Sequence, residues 1–301
     1  HLAAAARLAA RRDRGAGVPE VVAEGRRAAR LDREGAWDPA GGPGFDAEML
    51  GWYREYTRIH LRLFPYLWTY AQNLAADGRP IARPLGLAYP EMGIHPNDVY
   101  LLGDALLVAP VVERGKTARD VPFPPGKWID FWTGEAHEGG TTASIPAKLG
   151  QIPVFVREGG IVPLLRPTID TLSPTTSPDQ VDSYATTPGV LHARVVASPD
   201  GSDFEVFDGS KLHAERSPGA LTTVSLGFGD GTDFTSGVQF EVIALGDLPP
   251  TSVVADAAPL SEAQSLADLE ASAAGWFFSP DTGGTLYVRV GPDRHSIEAS
   301  F

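Results

Sequence analysis

From residue 98 onward the chain is interrupted by Gly, Pro and Asp so often that little besides short strands can form. The sequence holds 33 Gly and 26 Pro in 301 residues. Between these breakers lie β-prone runs at 99–102, 105–112, 119–123, 128–132, 142–145, 154–157 and 161–165. Short apolar runs bounded by turn residues at regular spacing pack as antiparallel sheets. Residues 166–189 are rich in Pro, Thr, Ser and Asp with little to bury, which reads as a linker. A second series follows at 191–197, 202–207, 221–228, 237–245, 276–279, 286–290 and 297–301, interrupted by one helix near 261–274. The pattern predicts a mainly β chain with two β-sandwich domains, at 98–165 and 190–301.

What precedes them is helical. Over residues 47–77, Leu50, Tyr53, Tyr56, Leu63, Leu67 and Leu74 fall on one broad stripe at helical period, and that face needs a partner. Pro65 lies inside the pattern, where it removes a backbone donor, so a break is expected near 62–64. Asp77-Gly78 ends the element, and a short apolar strand is expected over 81–87. Residues 1–44 are rich in Ala and Arg, lack Lys and close on Asp38-Pro39-Ala40-Gly41-Gly42-Pro43-Gly44. Their apolar content is too small-chained to drive packing, so they read as helical only when docked, or disordered.

Charge and composition narrow the chemistry. A formal net charge of -13 repels a nucleic-acid backbone or an anionic membrane surface, but is indifferent to an uncharged substrate. No segment approaches the roughly 20 apolar residues that span a bilayer. The absence of cysteine removes disulfides, thiolate nucleophiles and Cys-ligated zinc. The chain starts at His1 rather than Met, which we read as the mark of a truncated or processed product, so compartment is not legible.

Five ordered blocks carry a resemblance. Leu63-Phe64-Pro65-Tyr66-Leu67, Gly78-Arg79-Pro80-Ile81-Ala82-Arg83-Pro84-Leu85 and Leu102-Gly103-Asp104-Ala105-Leu106-Leu107-Val108-Ala109-Pro110-Val111 come first. Pro125-Gly126-Lys127-Trp128-Ile129-Asp130-Phe131-Trp132 follows, with Ile152-Pro153-Val154-Phe155-Val156-Arg157-Glu158-Gly159-Gly160 beyond it. In this order they resemble the end of the catalytic domain and the following β domain of glycoside hydrolase family 31, the α-glucosidase-like family. Phe204-Glu205-Val206-Phe207-Asp208-Gly209 and the segment 276–290 are similar, more loosely, to its distal β domain.

The resemblance implies that residues 45–97 are the end of a truncated (β/α)8 barrel, with 81–87 as its last strand. It also implies a parent that hydrolyses α-glycosidic bonds of an oligosaccharide or glycoside with retention, acting on α-glucosides or α-xylosides without a cofactor. Retention needs two carboxyl groups about 5 to 5.5 Å apart. In the family both are aspartates that precede the blocks found here, so no catalytic residue is assigned in this chain, which is expected to be inactive alone. The alternative reading is a non-catalytic carbohydrate-binding or scaffolding β-sandwich protein.

The remaining candidates are weighed against packing. Trp128-Ile129-Asp130 looks like the beginning of the family's nucleophile motif, but a turn precedes it and Phe131-Trp132-Thr133-Gly134 follows, so Asp130 reads as structural. Arg83 can aim at substrate from a strand end or pair with a carboxylate between barrel and sandwich, and the second reading is favoured. Tyr89 and Glu91, just beyond, are placed to line a cleft. Trp128, Phe131 and Trp132 can stack a sugar but more often fill a core. Asp200, Asp203, Asp230 and Asp233 lie in Asp-Gly turns without calcium-loop spacing. His60 and His95 stand alone, so no metal site is assigned.

Overall fold

The computed structural model describes residues 47–218 and 222–301. Residues 1–44, expected to be helical or disordered, lie outside them. Two helices open the described chain, α1 at Ala47–Arg62 and α2 at Phe64–Asp77. The break expected from Pro65 falls at Leu63, and Pro65 sits in the first turn of α2, where its missing N–H costs nothing. Gly78 closes α2 in the left-handed conformation at φ 67°, donating to the Leu74 carbonyl.

The first strands are β1 (Ala82–Pro84), β2 (Tyr100–Leu102), β3 (Leu106–Val108), β4 (Ala118–Pro122), β5 (Lys127–Asp130), β6 (Ala136–Glu138), β7 (Thr142–Pro146) and β8 (Val154–Arg157). Six make one antiparallel sheet in the order β1-β2-β3-β8-β5-β6, while β4 and β7 pair separately. The strand expected over 81–87 is confined to β1, pairs antiparallel with β2, and gives way to a helical turn, α3, at Leu85–Ala88. Pro84 explains the early end, since it has no N–H to continue a ladder.

Alternation gives the first sheet two apolar faces. Leu101, Leu107, Trp128 and Phe155 point to a core closed by Val121 and Phe123 of the β4 segment, Ile145 of β7 and Leu85 of α3. Leu106, Ile129, Val154 and Val156 point the other way, onto Tyr56, Leu63 and Tyr66 of the helices. The stripe on α1 and α2 needs a facing layer, which its resemblance to a barrel end places in the rest of a barrel. Its facing layer is instead the first sheet, with Tyr56 and Tyr66 2% and 0% exposed.

The second series comprises β9 (Ile161–Leu164), β10 (Leu191–Val195), β11 (Ser202–Glu205), β12 (Lys211–Ser217), β13 (Thr223–Gly229), β14 (Val238–Val242), β15 (Ser252–Ala255) and β16 (Ala258–Pro259). After a short helix, α4 (Leu266–Ala271), come β17 (Gly275–Ser279), β18 (Thr285–Val290) and β19 (His295–Ser300). They form two facing sheets, β17-β18-β14-β10-β9 and β11-β12-β13-β19-β15-β16, around one large core. The chain is mainly β with sandwich packing, as the sequence predicts.

One strand departs from its expected neighbours. β9 follows β8 by a tight turn but pairs with β10 of the second sandwich, Ile161 opposite Val195. Its Val162 and Leu164 face the first core while Ile161 and Leu165 enter the second. Pro163 is tolerated because β9 is an edge strand of that sheet. Residues 166–189 also bury more than their composition suggests. Ile169 is fully buried, and Arg166 is held by Asp182 and by the Pro188 carbonyl at 2.6 Å.

Candidate functional site

The helices meet the first sheet through polar contacts that the hydrophobic pattern does not foretell. Gly103, at φ 63°, makes the β2–β3 turn, and a Cβ there would lie 2.2 Å from the Tyr66 hydroxyl, so only glycine lets the helix come this close. Tyr66 donates to the Leu102 carbonyl at 2.8 Å and accepts from the Ala105 N–H at 3.0 Å. Burial pushes its phenol well above the ordinary range. Beside it Tyr70 donates to Asp104 at 3.1 Å and accepts the Asp104 N–H at 3.1 Å, and burial followed by the Asp104 charge pushes its phenol up to about 12.

Arg83 completes this cluster. It is 5% exposed, donates Nε to the Pro80 carbonyl at 2.8 Å, pairs through Nη1 with Asp104, and lies 5.5 Å from the Tyr70 ring centroid. Its Nη2 is buried without a partner. The guanidinium is thus withdrawn from solvent and held between α2 and the β2–β3 turn. Tyr89, half-buried, donates its N–H to the Leu85 carbonyl at 2.7 Å and packs on the core beneath α3. Glu91 is exposed on the helical turn Pro90–Met92. The structure shows no direct contact that joins Tyr89 or Glu91 to the Arg83 cluster.

The other sequence candidates have structural work. Asp130 is 8% exposed, and its Oδ1 accepts the N–H groups of Trp132 and Thr133, both at 2.8 Å, closing the turn before β6. Trp128 is fully buried and donates Nε1 to the Pro124 carbonyl at 2.9 Å, so its indole offers no face to a sugar. Trp132 donates to the Ile152 carbonyl at 2.7 Å and meets Tyr56 edge-on. Phe131 lies under the Arg194 guanidinium at 3.9 Å. The three aromatic residues divide between the first sandwich and its junction with the second.

Asp208 gathers four hydrogen bonds, from the Ser210 N–H and hydroxyl and from the N–H groups of Asp233 and Phe234. The aspartates around it therefore pin turns together. No group of three His, Asp or Glu able to hold a metal occurs among the described residues. No helix among them is long and apolar enough to cross a membrane. One enclosed hollow of about 30 Å³ lies between α1 and the first sheet, lined by Tyr56, Ile59, Leu63, Phe131 and Trp132. It has room for one or two waters and none for a pyranose.

Asp104 and Asp98 are the charged partners that sequence reading passed over. Asp98 accepts from the two terminal Arg119 nitrogens, Nη2 at 2.5 Å and Nη1 at 2.7 Å, and that bidentate pairing holds its carboxyl below the usual range. Asp104 stands in one of the blocks that carry the family resemblance. That position was the available signal.

Comparison with known proteins places this architecture. Residues 78–162 match the family model of the glycosyl hydrolase family 31 C-terminal domain. Over 248 residues, 79% of the chain, it is 28% identical to a 1,6-α-glucosyltransferase of Sporosarcina globispora. Over 113 residues, 37% of the chain, it is 35% identical to α-glucosidase 2 of Bacillus thermoamyloliquefaciens. The chain spans 19% and 14% of those relatives. In fold it resembles the cycloalternan-forming enzyme of Listeria monocytogenes, with a TM-score of 0.71 at 24% identity, covering 99% of this chain and 28% of that one.

Proposed function

We propose, because residues 78–162 match the family 31 C-terminal domain model, that this chain is the C-terminal part of a retaining α-glycosidase, of α-glucosidase or α-xylosidase type. Its role there is to brace the catalytic domain, with residues 45–97 as the end of the barrel. The family match is the observation that carries this reading. The packing supports it, since Tyr66, Tyr70 and Arg83 weld α2 to the first sheet. A brace has to be stiff, because catalytic groups tolerate only small misplacement.

The chain alone turns over no glycoside on this reading. The two buried carboxylates among the described residues, Asp130 and Asp208, are each engaged by backbone N–H groups. Neither is poised as a proton donor or a nucleophile. The test is an assay of the purified chain on aryl α-glucoside and aryl α-xyloside. No release of the phenol is expected. Turnover that is abolished by substituting a residue of this chain would overturn the assignment.

A further inference from the structure

The two-stranded ribbon of β4 and β7 ends in an opening. Its register runs from Pro122 opposite Thr142 to Ala118 opposite Pro146. One hydrogen bond carries it a step further, from the Ala147 N–H to the Thr117 carbonyl at 2.8 Å. Val121, Ile145 and Ala147 turn inward and are buried, so Ala118, Pro146 and the residues in phase with them face solvent. Counting on in the same register sets Lys116 opposite Lys148, on the solvent side. There the strands part. Between them lies a cleft of about 320 Å³, lined by Lys116 and Thr117 on one side and by Pro146, Ala147, Lys148 and Leu149 on the other.

The two cations stand out against the rest of the chain. Only four of its 25 basic residues are Lys and its net charge is -13, yet two of the four line one cleft and no carboxylate does. Like charges set directly opposite on a ribbon repel. Lys116 meets Glu113 at 3.5 Å, but both side chains are more than half exposed, and such a surface pair contributes little. Lys148 has no carboxylate within 4.0 Å among the described residues. Asp120, on the same face, stands opposite Ser144 further along the ribbon and does not line the cleft.

The walls are set by the fold. Gly115, at φ 78°, turns the chain into Lys116. On the other side Gln151 donates its N–H to the Lys148 carbonyl at 3.1 Å, and the Ile152 N–H donates to the Tyr56 hydroxyl at 2.7 Å. A Cβ on Gly150 would lie 2.3 Å from the Trp52 ring. The turn that carries Lys148 is therefore packed against α1.

Charge and size together select the occupant. Two facing ammonium groups are matched by two negative charges, and a phosphoryl group carries about -1.5 to -2 above its second pKa of about 6. A single carboxylate supplies half of that. Thr117 adds a hydroxyl that can donate to a phosphoryl oxygen. The cleft reaches the lower end of small-molecule sites, roughly 300 to 1,000 Å³, and Pro146, Ala147 and Leu149 give it an apolar side for an organic body. We propose that this cleft binds a small phosphate monoester, its phosphoryl dianion between Lys116 and Lys148 and its organic body on the 146–149 wall. The site stands apart from the bracing role, since neither lysine takes part in the contacts of α2 with the first sheet.

The test titrates the full 301-residue chain with phenyl phosphate and with inorganic phosphate, at low ionic strength and well above the second phosphate pKa, followed by amide shifts. Phenyl phosphate should saturate with a dissociation constant on the order of 1 mM, as a few exposed ionic contacts allow. Shifts should fall at 115–117 and 146–149. Inorganic phosphate should bind more weakly, since it has no body for the apolar side, and sodium chloride of the same ionic strength should give no saturable shift. Lys116→Ala and Lys148→Ala alter exposed side chains and should leave the circular-dichroism spectrum unchanged. Each should weaken binding roughly three- to fivefold, the worth of one exposed ion pair, while Lys211→Ala on β12 should have no effect. No saturation, saturation on another surface, equal affinity for the two phosphates, or full affinity in Lys148→Ala would each overturn the proposal.

Discussion

Removing one hydroxyl, in Tyr66→Phe, measures how firmly the helices are held to the sheet. The side chain is fully buried, so phenylalanine fills the same space and only the oxygen is lost. That oxygen serves the Ala105 N–H and the Leu102 carbonyl. A buried group left unpaired costs about 1–3 kcal/mol. The N–H should bear most of this, because the carbonyl keeps a second lone pair. We expect a loss of about 2 kcal/mol, equivalent to roughly 30-fold in the local opening equilibrium. Two sandwiches in one chain need not unfold in a single step, so amide hydrogen exchange of α2 is a better measure than a global melt. Tyr70→Phe, whose hydroxyl lies beside the half-exposed Asp104, should cost less. A change in α2 exchange below about threefold for Tyr66→Phe would show that apolar contact alone secures the helix.

Other outcomes follow from the same geometry. Trp128→Ala should destabilise the first sandwich by about 3–5 kcal/mol, the range for large aromatic truncation in a core, and an unchanged calorimetric transition would refute its burial. Asp98, held below its ordinary pKa by Arg119, stabilises the fold above the unfolded carboxylate value and loses that effect as pH falls through the folded one; Arg119→Met should flatten this acid limb of the stability curve. His295 is opposed by burial but held above its ordinary value by Asp256 and the Pro292 carbonyl. Its contribution is full below the unfolded imidazole pKa and fades as pH rises through the folded one, and Asp256→Asn should lower the pKa read by NMR. Arg194→Met should loosen the junction between the sandwiches, seen as faster exchange at Phe131 and Trp132, because it removes the contact with the Phe131 ring and carbonyl.

The sequence showed the strands well where they were apolar and badly where they were not. β12 escaped notice because only Leu212 and Ala214 of its seven residues are fully buried, among Lys, His, Glu, Arg and Ser. Local pattern also fails to tell which sheet a strand joins: β9 reads as the continuation of β8, and only tertiary packing sends it to β10. The broad stripe on α1 and α2 was legible, but not its partner, since a helical face states that it must be covered and not by what. Among site residues, the structure puts Trp128 and Asp130 in structural positions.

The placement of β9 bears on how such a chain is inherited and rearranged. A module that is to be exchanged between genes needs a cut where few contacts cross. The obvious place, judged by composition, is the Pro- and Ser-rich stretch at 166–189. A cut there would leave β9 with the upstream piece and strip the second sandwich of its edge strand, exposing the β10 ladder to any passing chain. A cut at Gly159-Gly160 would instead take Val162 and Leu164 from the first core. Either way one half loses a layer, so recombination should carry these two sandwiches together, and a chimera that separates them should aggregate unless it duplicates β9.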